Sequence, residues 1–191
     1  LDYRYPVHVI LRVRDDVPRL RQRGIYHAIR KVLLRVLALA DIRVIHISIQ
    51  RAHLHLIVEA TDERALSSGM QSFAINAARG INRACERTGK VFRFRYKAKQ
   101  ITTRSYARNV IAYVLNNWRR HREDRNDRNW GNTLLDAFSS AISFTGWAGN
   151  PRWNGPRDYE PLPVASPRTD LLRSAWQWHG LIDPFERPGP A

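Results

Sequence analysis

Arg51-Ala-His-Leu-His-Leu-Ile-Val-Glu59 alternates in a way that specifies a strand with two unlike faces. Leu54, Leu56 and Val58 fall on one face, and His53, His55 and Glu59 on the other. Two imidazoles on one face, roughly 7 Å apart along the strand, can chelate one divalent cation. A lone His-x-His is more often a ligand-free pair, and a metal needs at least a third protein donor. Glu59, on the same face, reads either as a supporting group or as the wet end of the strand.

Working outward, Ile42–Gln50 is a second strand, with Ile42, Val44, His46 and Ser48 set against Arg43, Ile45, Ile47 and Ile49. Arg51-Ala52 is short enough for a hairpin, although it lacks the usual Gly or Asn. Upstream, Tyr5–Val13 is rich in β-branched residues and alternates, which predicts a first strand. The apolar spacing of Ile29, Val32, Leu33, Val36 and Leu37 predicts a helix over about 25–39. Downstream, Thr61 is the expected N-cap of a helix running to about Arg87, weakened in its middle by Gly69 and Gly80 and ended by Gly89. Val91–Gln100 alternates aromatic and basic residues as a fourth strand, and Thr102 or Thr103 caps a helix to about His121.

The order strand, helix, strand, strand, helix, strand is the α+β, ferredoxin-like βαββαβ pattern with an antiparallel sheet, followed here by one added helix. Residues 1–122 form the expected core domain. Residues 123–191, with a charged, Asn-rich Arg122–Asn132 and a Gly/Pro/Trp-dense Trp147–Pro167, form an expected Trp/Pro-rich extension, mostly irregular with short helices.

The 191 residues carry 32 Lys and Arg against 17 Asp and Glu, a formal net charge of +15 that attracts polyanions. Arginine dominates, and its planar fork suits phosphate and stacks on bases. Cys85 is the only cysteine, which excludes an internal disulfide and multi-cysteine zinc sites and fits a reducing cytoplasm; no partner for it is visible, and it reads as an inert helix residue. No run approaches the length of a membrane span, and no signal-peptide pattern opens the chain. The chain starts at Leu1 rather than Met, and an earlier natural start is expected.

In the last core helix, Ala107, Val110, Ile111, Val114, Leu115 and Trp118 form the apolar stripe. Tyr113 and Asn117, four apart, share one flank of it, where a phenol can reach a cleft and an amide oxygen can join a metal site. The bland alternative is an interface tyrosine beside an exposed asparagine. Tyr106, two turns earlier on that flank, is the alternative nucleophile. Arg93, Arg95, Lys97 and Lys99 alternate along the fourth strand among Phe92, Phe94 and Tyr96, while Arg104, Arg108, Arg119 and Arg120 flank the tyrosine helix. Such mixed basic and aromatic rows suit single-stranded nucleic acid, and rows of charge also serve as plain edge protection. His8 and His46 are lone strand histidines, read as structural or rim groups rather than ligands.

These residues, in this order, resemble the single-tyrosine transposases of the HUH (His-hydrophobic-His) nuclease group, nearest to the REP-associated tyrosine transposase-like proteins of bacteria. The resemblance runs from Tyr5–Val13 through His53–Glu59, Phe92–Tyr96 and Ala112–His121, and into Asp136–Ser140 and Leu171–Leu181. It implies that His53, His55 and Asn117 hold Mg²⁺ or Mn²⁺ and that Tyr113 attacks single-stranded DNA beside a hairpin through a 5′-phosphotyrosine. It further implies a bacterial, cytoplasmic, nucleoid-associated protein acting as monomer or homodimer, whether on a mobile element or in a host-adopted role. Two departures stand out: Ala52 where relatives often carry Asn, and Lys97 where they commonly carry His. Two rival readings remain at this point, a non-catalytic nucleic-acid-binding protein with a vestigial histidine pair, and a nuclease that uses water and leaves Tyr113 structural.

Overall fold

The structure, a computed structural model, describes residues 2–126 and 133–189; part of the charged Arg122–Asn132 connection therefore lies outside the described residues. The core elements are β1 (Val7–Arg12), α1 (Arg23–Leu37), β2 (Ile42–Ile49), β3 (His53–Ala60), α2 (Glu63–Ala84), β4 (Lys97–Gln100) and α3 (Arg104–Arg120). The four strands form one antiparallel sheet in the order β2-β3-β1-β4, the ferredoxin-like arrangement that the element order predicts.

Alternation in β1 and β3 divides the molecule into two layers. Val7, Val9, Leu11, Leu54, Leu56 and Val58 pack with α1 and α2 on one face of the sheet. Ile57 and the α3 stripe, Ala107, Val110, Ile111, Val114 and Leu115, make a second apolar cluster on the other. His8, Ile10, Arg12, His53 and His55 have the parity of that second face.

Several expectations are corrected. In β2 the simple alternation fails, because the register slips between Val44 and His46. Val44, Ile47 and Ile49 join the α1/α2 cluster while Ile45 joins the α3 cluster, the change of side that a bulge produces. The fourth strand is shorter than its pattern: β4 covers only Lys97–Gln100. Phe92 bridges Val13, and Lys97 pairs with Ile10, so four residues on one chain face two on the other. The excess pushes Phe94 and Arg95 outward, and Phe94 is 71% exposed. The α2 N-cap is Asp62, whose carboxylate accepts from Ala65 N–H at 2.7 Å, rather than Thr61. Thr103 caps α3 by accepting from Tyr106 N–H at 3.1 Å. Gly69 does more than weaken α2: a Cβ there would lie 2.5 Å from Ile42 Cδ1, so the glycine lets the helix settle onto β2.

The Arg51-Ala52 hairpin closes with Gln50 N–H donating to the His53 carbonyl at 2.9 Å. The two loop carbonyls are taken as well, Ala52's by Val13 N–H and Arg51's by Leu20 N–H. The tip that carries His53 is thus tied to the chain following β1.

The segment beyond α3 includes short helices α4 (Glu123–Asn126) and α5 (Asp170–Arg173) and 3₁₀ turns at Ser140–Ser143 and Ala175–His179. It packs on the core rather than standing off. Phe138 accepts from Ile49 N–H at 2.7 Å, and Ser139 bridges Ser48, covering part of the outer edge of β2. Trp147, Leu172, Trp176 and Ile182 bury themselves against the back of α3. Asp136, fully buried, makes a bidentate pair with Arg21 at 2.7 and 3.1 Å, and Arg21 also donates to the Ile49 carbonyl. Removing one member of such a pair leaves a buried charge without its partner. Asp136→Ala should therefore lower the unfolding free energy by about 3 kcal/mol, read as a lower urea midpoint.

Candidate active site

Antiparallel pairing sets the site. His55 lies opposite Ile10 and His53 opposite Arg12, on the sheet face that α3 crosses. The two imidazoles converge, with ring centroids 4.5 Å apart. The apolar stripe of α3 fixes the helix on this face and turns one flank towards the histidines. The Tyr113 ring meets His55 edge-on at 5.1 Å and His8 at 6.0 Å, and the His121 ring stands 6.0 Å from His53. Asn117 lies one turn from each of Tyr113 and His121 on that helix, and it is fully buried. It is not the exposed asparagine of the bland reading.

Three buried polar atoms in this arrangement have no hydrogen-bond partner: His55 Nε2, Asn117 Oδ1 and Asn117 Nδ2. Leaving such atoms unpaired costs about 1–3 kcal/mol for each group, and unpaired groups of this kind call for an explanation such as an ion. An imidazole nitrogen and an amide oxygen are both donors that a hard or borderline divalent cation accepts. The residues therefore fit a metal ion. Among the described residues no group of three His, Cys, Asp or Glu is placed to hold a metal ion.

The imidazoles are held neutral. Burial, with His121 and Arg12 nearby, lowers His53 to about 4. Burial, with Lys99 and His53 nearby, lowers His8 to about 4. His55 is pushed well below the usual histidine range by burial and by the neighbouring His53, His8 and His121. Neutral imidazole is the form that binds metal.

The basic row predicted on the fourth strand is split by the excursion before β4. Lys97 and Lys99 lie opposite Ile10 and His8 and line, with Tyr113, a cleft of about 360 Å³. Arg93, Phe94 and Arg95 instead rim a groove of about 820 Å³ floored by Met70 and Ala74 of α2. Arg93 pairs with Asp15. On α3, Arg120 stands over the Tyr113 ring at 5.7 Å and Arg104 over Trp178 at 4.8 Å. Arg108 and Arg119 already have partners in the C-terminal segment: Arg108 grips Glu186 at 2.6 and 2.7 Å, and Arg119 donates to the Pro184 and Leu134 carbonyls. Glu59 supports no histidine. It is buried and accepts from Arg168 N–H, Thr169 N–H and Thr169 Oγ1–H, anchoring the same segment. Tyr106, the other tyrosine, lies under Lys99, with the ammonium 4.4 Å from its ring. Cys85 sits at the C-terminal end of α2 with no role here.

Sequence reasoning undervalued His8 and did not weigh Arg12 or His121 at the site. The parity of β1 carried the signal, but which strand lies beside β3 is a long-range fact. His46 lies elsewhere, beside Ser140 and Phe144.

The family model described as IS200-like transposase matches residues 2–117. Among solved structures, a REP-associated tyrosine transposase bound to a REP hairpin is similar with a TM-score of 0.50 and 15% identity, covering 61% of this chain and 68% of its own. A protein of Deinococcus radiodurans described as a transposase has a TM-score of 0.41 and 14% identity, over 57% and 87% of the two chains. A bacterial tRNA(His) guanylyltransferase-like protein in complex with GTP reaches 0.44 and 10%, over 66% and 65%. The first likeness supports the fold. No match is found among curated protein sequences.

The buried histidines make acid destabilising. Burial lowers His46 from 6.5 to about 4, so the unfolded chain takes up a proton in a window where the folded one does not. The stabilisation is complete above pH 6.5 and is lost as pH falls towards 4, by about 3 kcal/mol for this group. Urea unfolding between pH 7 and pH 4 should show this loss, and a His46→Gln variant should show a shallower dependence over the same window.

Proposed function

Because the chain belongs to the IS200-like transposase family, we propose that it cleaves and rejoins single-stranded DNA beside hairpins, with Tyr113 as the nucleophile. The observation that carries this reading is the edge-on contact of Tyr113 with His55, next to buried His55 Nε2 and Asn117 Oδ1 that have no partner. His53, His55 and Asn117 would hold Mg²⁺ or Mn²⁺. When bound, that ion supplies Lewis-acid polarisation of a phosphate oxygen and stabilises the charge that builds there.

The protein's own groups do the rest. Tyr113 presents its oxygen in line with the scissile bond. The phenol oxygen bonds to phosphorus as the P–O3′ bond breaks, and the proton that the phenol gives up to solvent is matched by one that the departing O3′ takes from it, giving a 5′-phosphotyrosine and a free 3′-OH. The reverse attack, by a 3′-OH on the phosphotyrosine, rejoins DNA without an energy cofactor. Lys97 and Lys99 line the cleft beside Tyr113 and would hold the strand's phosphates. Arg104 and Arg120, exposed and stacked over Trp178 and Tyr113, extend that basic track. Arg93 and Arg95 would meet DNA on the far side of β4, and Arg108 and Arg119 act first as clamps on the C-terminal segment. Residues 1–122 would constitute the catalytic domain, with 123–191 as a bracing extension. No helix among the described residues is long and apolar enough to cross a membrane, and we place the protein with DNA in the bacterial cytoplasm.

Incubation with a labelled hairpin-flanked single strand and Mn²⁺ should give a protein–DNA band that survives denaturing electrophoresis. The band should vanish in Tyr113→Phe and persist in Tyr106→Phe. Cleavage without the band supports a water-using nuclease, and binding without cleavage a non-catalytic binder. The salt dependence of single-strand affinity should flatten in the Lys97→Ala/Lys99→Ala variant, by about 1.4 in the log–log slope.

A further inference from the structure

His8 is a buried titratable group on β1 that the cleavage chemistry above does not use, and its placement points to a role. It lies on the same sheet face as His55, one diagonal step away in the β1–β3 ladder, since His55 faces Ile10. His8 Nε2 is 3.1 Å from His55 Nδ1, and the two rings meet edge to edge, their planes 26° apart and their centroids 5.2 Å apart. Both side chains are almost wholly buried, so the bond is shielded from competing water.

Two neutral imidazoles share one proton in such a bond, and which ring donates decides what the far side of His55 presents. If His8 donates, His55 carries its own proton on Nε2, a buried N–H with no acceptor. If His55 donates from Nδ1, its Nε2 is a bare lone pair turned to the site. Orphaned buried N–H groups are rarer than under-used acceptors, so the second arrangement is favoured.

We propose that His8 is a positioning residue: it accepts the Nδ1–H of His55, fixing the ring and its tautomer so that Nε2 stays free as a cation donor. The proposal rests on the metal reading of the site. In this reading His8 is not a ligand of the cation. It acts as the outer partner that orients a ligating imidazole, a place more often taken by a carboxylate or a carbonyl. A neutral acceptor serves here because His8 stands directly opposite Lys99 and beside Tyr113 on a strongly basic surface.

The test uses the full-length protein and two variants. His8→Phe removes the acceptor. His8→Gln places an amide oxygen near the position of Nε2 and should restore it. Nitrogen-15 NMR of the imidazoles in metal-free protein should show His55 protonated on Nδ1 in the wild type and in His8→Gln, and a shift towards Nε2–H in His8→Phe. Titration with Mn²⁺ should show an affinity about 10- to 100-fold weaker for His8→Phe, largely recovered in His8→Gln, with unchanged circular dichroism. A wild-type His55 protonated on Nε2 overturns the proposal, as does a His8→Phe variant that keeps wild-type Mn²⁺ affinity. If the wild type binds no Mn²⁺ while His55 is protonated on Nδ1, the metal reading fails and the His8–His55 bond stands.

Discussion

The packing of α3 across one face of the sheet is the constraint on which the rest depends. Ala107, Val110, Ile111, Val114, Leu115 and Trp118 are all buried, and the helix seats itself on Ile45 and Ile57. Burying a set of side chains of this size stabilises by on the order of 10 kcal/mol. That outweighs what it costs to leave His55 Nε2 and the Asn117 amide without partners. The helix cannot rotate to satisfy Asn117 without exposing its stripe. The flank that carries Tyr113, Asn117 and His121 is therefore held beside His55 and His53 first by this apolar packing.

The C-terminal segment reinforces the same helix from behind. Trp147, Leu172, Trp176 and Ile182 complete the cluster around α3. Arg108 and Arg119 tie the helix to Glu186, Pro184 and Leu134. Glu59, at the far end of the histidine strand, holds the segment through Arg168 and Thr169. One stretch of chain thus braces both elements of the site, which is why arginines that look like DNA contacts in the sequence turn out to have structural partners.

Much of this was legible in the sequence, and the failures have physical causes. Period-two alternation places β1 and β3 correctly because each has one face against α1 and α2 and one against α3. It misleads at β2, where a slip at Val44–His46 sends Ile45 to the opposite cluster, and no residue type marks that bulge. It misleads again at Val91–Tyr96, where the pattern is strand-like but β1 offers two residues to pair with four. His53, His55 and Tyr113, singled out in the sequence, meet in the fold, and Asn117 is buried one helical turn from Tyr113. The His8–His55 bond was not legible, since it depends on which strand lies beside β3 and on its register.

The central claim is that the phenol beside His55 is the group that takes the DNA. Proteolysis at arginine separates Tyr106 and Tyr113, because Arg108 lies between them and Arg104 and Arg119 lie outside. After reaction with a hairpin-flanked single strand and Mn²⁺, mass spectrometry of the digest reads the attachment point directly. A nucleotide adduct on the peptide running from Asn109 to Arg119 is the predicted result. An adduct on the Tyr106 peptide, or cleaved DNA with no adduct on any peptide, would contradict it.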